Sequence, residues 1–143
     1  MGELMKPQPK KKPKIIKQEK LSTITNRLDK LVSQIVRLRD GKCVTCDSTI
    51  NQQCGHYISR VFVNVRWDLR NCNCQCSACN VSHEQDPVPY TQWIQNIYGW
   101  DVWHELSKKA HDPHKVTRQE RLLIEVGLRE LLKELEEKKY GMY

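Results

Sequence analysis

The sequence predicts an α+β fold: a small cysteine-rich core of two short strands and a helix, stapled by four cysteines and flanked by N- and C-terminal helices. Three observations carry this expectation. Two C-x2-C pairs, Cys43–Cys46 and Cys76–Cys79, stand 29 residues apart. The segment between them contains CGHYISRVFVNVRWDLR (54–70), rich in β-branched and aromatic residues. On either side, apolar residues recur at helical spacing. A chain of 143 residues with 38% hydrophobic and 7% aromatic content has a lean core, the situation in which a staple contributes most.

Each element follows in order. KPQPKKKPKIIKQEK (6–20) has three prolines and no apolar period, and predicts a disordered basic arm over residues 1–20. Ile24, Leu28, Leu31, Ile35 and Leu38 predict an N-terminal helix over 21–42, with Ser22 or Thr23 as cap and Gly41 at its end. Residues 54–70 read as two short strands with a loop between, and SACNVSHEQ as a short helix stopped by Pro87. Tyr90–Tyr98 reads as a helix ending at Gly99, which closes a core over 43–99. In the helical region over 100–143, Asp101 can cap a stretch through Ala110. Thr117 with Glu120 forms a capping box for a helix to about Lys139. Trp93, Trp100 and Trp103 read most simply as core or interface aromatics.

Charge narrows the function classes. The net charge is +7, and residues 1–20 alone hold seven Lys against two Glu. The arm and the cysteine region are therefore basic, as a polyanion-binding surface is, although a lysine run also serves solubility. No apolar run approaches a membrane span, and the N-terminus has no hydrophobic stretch for secretion. A cytoplasmic location is expected, and seven cysteines in a reducing compartment point to metal thiolates rather than disulfides.

Each C-x2-C pair can turn two thiolates toward one ion, so Cys43, Cys46, Cys76 and Cys79 make a closed tetrahedral set for structural Zn²⁺. Cys54, Cys72 and Cys74 are left over as buried small side chains or incidental thiols. Cys72 in place of Cys76 is an alternative ligand.

The insertion between the pairs carries a second constellation: His56, Asn71 15 residues later, Asn80 nine after that, and Glu84 four further on. A neutral histidine can take a proton from water near pH 7. An asparagine can hold the imidazole, and Asn80 with Glu84, at i and i+4 of one helix face, can offer oxygen ligands to Mg²⁺ or Mn²⁺. Arg60 and Arg66 are candidate phosphate clamps, with Lys10, Lys11, Lys12 and Lys14 of the arm as further DNA contacts. With its flanking cysteine pairs, this spacing resembles the HNH nuclease motif. The resemblance implies a ββα-metal (His-Me finger) fold, with His56 as catalytic base and Asn71 as its support. Many HNH nucleases place a metal ligand just before that histidine. Here the position is Gly55, so Asp68 or Cys54 is expected to complete the set.

The order C-x2-C, CGHYISR, VRWD, NCNCQCSACN, Tyr90 and Gly99 also resembles the NinG (Rap) recombination family of lambdoid phages. That resemblance implies an endonuclease for branched DNA, such as Holliday junctions and D-loops, working in the host cytoplasm. Two other functions compete: a non-catalytic zinc-containing DNA-binding protein, and a nuclease for linear DNA. Paired cuts across a junction call for a homodimer. Ile24–Leu38 and the stripe Leu123, Val126, Leu131, Leu135 are its candidate faces.

Overall fold

The computed structural model describes residues 2–4 and 8–141 and is a mixed α+β fold. Lys6 and Pro7 of the basic arm lie outside the described residues; residues 8–20 are exposed and carry neither helix nor strand. The elements are α1 (Leu21–Asp40), β1 (Gln52–His56), α2 (Val63–Arg66), β2 (Cys72–Cys76), α3 (Ser77–Ser82), α4 (Val88–Tyr98), α5 (Val102–Ala110) and α6 (Arg118–Tyr140).

Helix α1 buries Ile24, Leu28, Leu31, Val32, Ile35 and Val36, and closes on Gly41, whose φ of 72° only glycine adopts without strain. Neither Ser22 nor Thr23 caps it. The helix begins at Leu21, and the N-cap position falls on Lys20, which makes no side-chain capping bond. Its C-terminal end is tied to the sheet by two side chains. Arg39 donates to the carbonyls of Leu69 and Cys72 and to Asn73 Oδ1, while Asp40 Oδ2 accepts the Cys74 N–H at 2.8 Å.

Strands β1 and β2 form an antiparallel hairpin in which Cys54 faces Cys74, Gly55 faces Asn73 and His56 faces Cys72. The second strand begins later than the sequence suggests. VNVR forms the single-turn helix α2, and Trp67 and Asp68 lie in the turn after it, so the VRWD segment is not a strand. Val65, fully buried against α4 and α5, draws this stretch into a turn. Here tertiary burial overrides β propensity.

Two cores flank the hairpin. In one, α1 packs along α6, with Leu128 buried and Leu122, Ile124, Leu131, Leu132 and Leu135 half-buried against it, and with Trp67 and Cys72 at its sheet end. In the other, Val65, Tyr90, Ile94, Val102, Leu106 and Ala110 join α2, α4 and α5. The capping box of α6 forms as expected: Thr117 Oγ1 accepts the Glu120 N–H, and Glu120 accepts the Thr117 N–H. Trp93 packs at the edge of the second core, but Trp100 and Trp103 do not. They are 81% and 52% exposed, so those two are surface side chains.

The two faces proposed for dimerisation therefore meet each other within one chain. Glu125 seals the contact by accepting from Arg27 of α1 at 2.8 Å and from Arg129 at 3.2 Å. Leu123 and Val126 of the expected stripe turn outward, because the buried face of α6 runs through Leu128 instead.

Candidate active site

The cysteine staple assembles at the junction of β2 and α3. Cys76 ends the strand and caps the helix, its Sγ accepting the Cys79 N–H. The loop bearing Cys43 and Cys46 is folded over by Cys43 N–H to the Ser48 carbonyl and Asp47 N–H to the Cys43 carbonyl, with Asp47 left-handed at φ 65°. A further bond from Val44 N–H to the Cys74 carbonyl lays this loop on β2. The Sγ atoms of Cys43, Cys46, Cys76 and Cys79 then all lie within 4.8 Å of one another, with Cys46 and Cys76 at 3.6 Å. A tetrahedron with Zn–S bonds of about 2.3 Å has edges of about 3.8 Å, so the four sulfurs fit the ion.

Electrostatics agree with that donor set. Burial opposes ionisation of Cys43, but hydrogen bonds from the Thr45 hydroxyl and nearby backbone N–H groups outweigh it and hold the thiol at about 6. At Cys79 the Thr45 hydroxyl favours the thiolate, yet burial and the three neighbouring sulfurs win and push it up to about 12. The crowding that opposes ionisation of Cys79 is what a bound dication would relieve. Cys72 is not part of this group, so the alternative that exchanges it for Cys76 is set aside.

Beside the staple lies a cleft of about 660 Å³ walled by α1, β1, the loop after it, and α3 with its following turn. His56, Asn80, Glu84, Arg60 and Arg66 all line it. His56 Nε2 sits 2.9 Å from the Arg66 carbonyl. A carbonyl only accepts, so Nε2 carries the proton and Nδ1 the lone pair. Burial lowers the pKa of His56 from its ordinary value and keeps the ring neutral, outweighing the Arg66 carbonyl bond that favours the charged form.

Asn71 does not touch this imidazole. Its fully buried side chain accepts the Ile58 N–H at 2.7 Å and donates to the carbonyls of Ile58 and Val65, while its own carbonyl accepts the Tyr57 N–H. The asparagine thus ties the loop leaving β1 to α2, and the imidazole is oriented instead by the Arg66 carbonyl, which the same α2 turn presents. Tyr90, wholly buried, adds a second brace by donating to the Gly55 carbonyl and accepting from Asn73.

Asn80 donates Nδ2 to Gln53 Oε1, leaving Oδ1 for a cation. Glu84 is exposed and lies just past α3, which ends at Ser82, so the expected i, i+4 helical pair becomes a helix residue and a turn residue on one cleft wall. Gly55 has a physical reason to be glycine: a Cβ there would stand 2.1 Å from Gln75 Oε1. Asp68 is not among the cleft residues. It accepts from Lys109 at 2.7 Å and from the Arg70 N–H, bracing α5 against the turn before β2. Asp68 thus stands apart from the cleft wall that carries Asn80 and Glu84.

Arg66 also differs from expectation, because its guanidinium is held bidentately by Asp29 of α1 at 2.9 and 2.6 Å, with Trp67 Nε1 donating to the same carboxylate. Burial raises the pKa of Asp29, but those bonds outweigh it and keep the carboxylate ionised. Arg60 is exposed and lines the cleft.

His83 is a cleft residue that the sequence reading passed over. His83 donates Nε2–H to the Tyr57 carbonyl at 2.8 Å, and its Nδ1 is buried without a partner among the described residues. Its position three residues after Asn80 was the available signal.

Comparison with known proteins places the chain. The model of a family described as Bacteriophage Lambda NinG protein matches residues 4–138. The proteins named ninG from Escherichia phage 933W and Enterobacteria phage VT2-Sa are each 30% identical over 102 residues, covering 69% of this chain and 50% of the relative. The same identity and coverage hold for the ninG protein of Enterobacteria phage H19B. The chain thus spans about half the length of the curated relatives it matches. No solved structure matches it. A family match running from the basic arm through α6 covers both the cysteine staple and the cleft, and the chain belongs to the bacteriophage lambda NinG family.

Proposed function

We propose that the chain is a metal-dependent DNA endonuclease of HNH type that hydrolyses phosphodiesters in branched recombination intermediates, Holliday junctions and D-loops. The observation that supports it most is one cleft holding a neutral, oriented imidazole together with the side chains of Asn80 and Glu84. In this reading β1, β2 and α3 are the ββα unit of the HNH fold, and the four-cysteine zinc staple sets the angle between its hairpin and its helix.

His56 takes the proton of the attacking water at Nδ1, the atom left basic by the Arg66 contact. Asn71 keeps the loop and α2 in register, so that this carbonyl stays in place. Asn80 Oδ1 and the Glu84 carboxylate are hard oxygen donors suited to Mg²⁺ or Mn²⁺, which would neutralise charge on the phosphate and its leaving oxygen. With only two protein oxygens and the nearby His83 nitrogen, the ion would keep several waters, as Mg²⁺ commonly does. Arg60 draws the phosphate to the rim, and Lys10, Lys11, Lys12 and Lys14 extend the electrostatic track beyond it.

The test is cleavage of a four-way junction beside a matched linear duplex, with Mg²⁺ and with EDTA. Junction cutting that EDTA stops is expected. Equal cutting of both substrates overturns the branch preference, and DNA binding without cutting leaves a zinc-containing binding protein.

A further inference from the structure

We propose that Cys54, His56 and Cys72 form a second metal site, selective for thiophilic dications such as Zn²⁺ and separate from the four-cysteine staple. One ligand atom from each of the three lies within 4.8 Å of the others. Strand geometry brings them together: His56 and Cys72 are direct cross-strand partners, and Cys54 stands two residues before His56 on the same face. Two sulfurs and an imidazole suit zinc-like ions far better than Mg²⁺, and three protein ligands leave a coordination position open.

That position has access to solvent. Cys54 and His56 line the cleft, while Cys72 is fully buried behind them. With Cys72 as a thiol, the Arg66 carbonyl accepts from its Sγ at 3.1 Å and from His56 Nε2 at 2.9 Å. The dication replaces the Cys72 proton, while the His56 Nε2–H bond stays and leaves Nδ1 as the ring's ligand atom. Binding balances simply: two thiols release two protons as the dication enters, and the ion with its two thiolates and neutral imidazole carries no net charge.

The consequence for the cleft rests on the nuclease reading. A neutral imidazole has one basic lone pair, so an ion that binds it removes the general base. The site thereby gates cleavage, active with Mg²⁺ alone and arrested when a thiophilic ion is also bound.

The experiment loads the 143-residue chain with Co²⁺ in a non-thiol reductant and counts bound ions by absorption and by elemental analysis. Two ions per chain are expected, one in a four-thiolate and one in a mixed sulfur–nitrogen environment. Cys54→Ser and Cys72→Ala should each lower the count to one, and a retained four-thiolate band reports that the fold is intact. Wild-type protein that takes one ion, or two cysteine variants that still take two, overturns the site. For the gate, Zn²⁺ beyond the first equivalent should slow wild-type cleavage at least tenfold; an unchanged rate with two ions bound overturns it. A chain that cuts no DNA under any condition removes the nuclease reading, and the ion count still decides the site.

Discussion

His56 is held in the cleft as a single tautomer. Its Nε2 is committed to the Arg66 carbonyl, so the ring has one basic atom and one orientation. His56→Ala is expected to lower cleavage by about 10²–10⁴-fold, the usual contribution of general base catalysis, with DNA affinity nearly unchanged. Burial also sets the pH dependence. Because the pKa lies below the ordinary 6.5, the neutral base persists as pH falls through 6.5, and the rate should drop only under that value. A wild-type acid limb centred at or above 6.5 would show that another group governs the proton transfer.

At the scale of elements, two contacts hold the cleft walls in place: the staple at the β2–α3 junction and the packing of α1 along α6. Purified protein should carry zinc in its four-cysteine site, and Cys43→Ser should lose that ion and unfold the domain, as seen by circular dichroism and elemental analysis. A folded Cys43→Ser protein with unchanged zinc content would sink the assignment. Leu28 is fully buried in the α1–α6 core. Leu28→Ala leaves a cavity there and should reduce stability by about 2–5 kcal/mol in urea unfolding. A change under about 1 kcal/mol would mean that α6 is not needed to cover α1.

On the scale of the whole molecule, the proposed function predicts roles for the arm's charge and for copy number. Deleting residues 1–20 removes seven lysines, and junction affinity should fall with a shallower dependence on salt, while cut positions stay the same. Identical affinities across a salt series would reduce the arm to a solubility device. The paired cuts of a junction favour two copies of the chain, yet α1 and α6 already cover each other. Under the proposed paired cutting, a second copy would meet the first on another surface or on the DNA itself. Sedimentation at saturating junction should give two chains per junction, and a one-to-one complex would exclude paired cutting by a dimer.

The features legible from the residues alone are local ones. The two C-x2-C pairs announce the staple because that spacing turns both sulfurs one way. The periodicities of 24–38 and 117–139 announce α1 and α6, and the Thr117–Glu120 box marks a start the structure reproduces. His56, Asn80 and Glu84 were legible as a spaced set, and the fold does bring them to one cleft. Tertiary structure decided which partner each polar group finds. Asn71 bonds to backbone, Arg66 to Asp29 and Asp68 to Lys109, three choices that depend on residues 6 to 41 positions away and on the burial that makes an unpaired group costly. It also decided that VFVNVR turns into α2, since Val65 is buried against helices that follow much later. The meeting of α1 with α6, and of Cys54 and His56 with Cys72, is set by packing and strand register between distant segments, which no local pattern encodes.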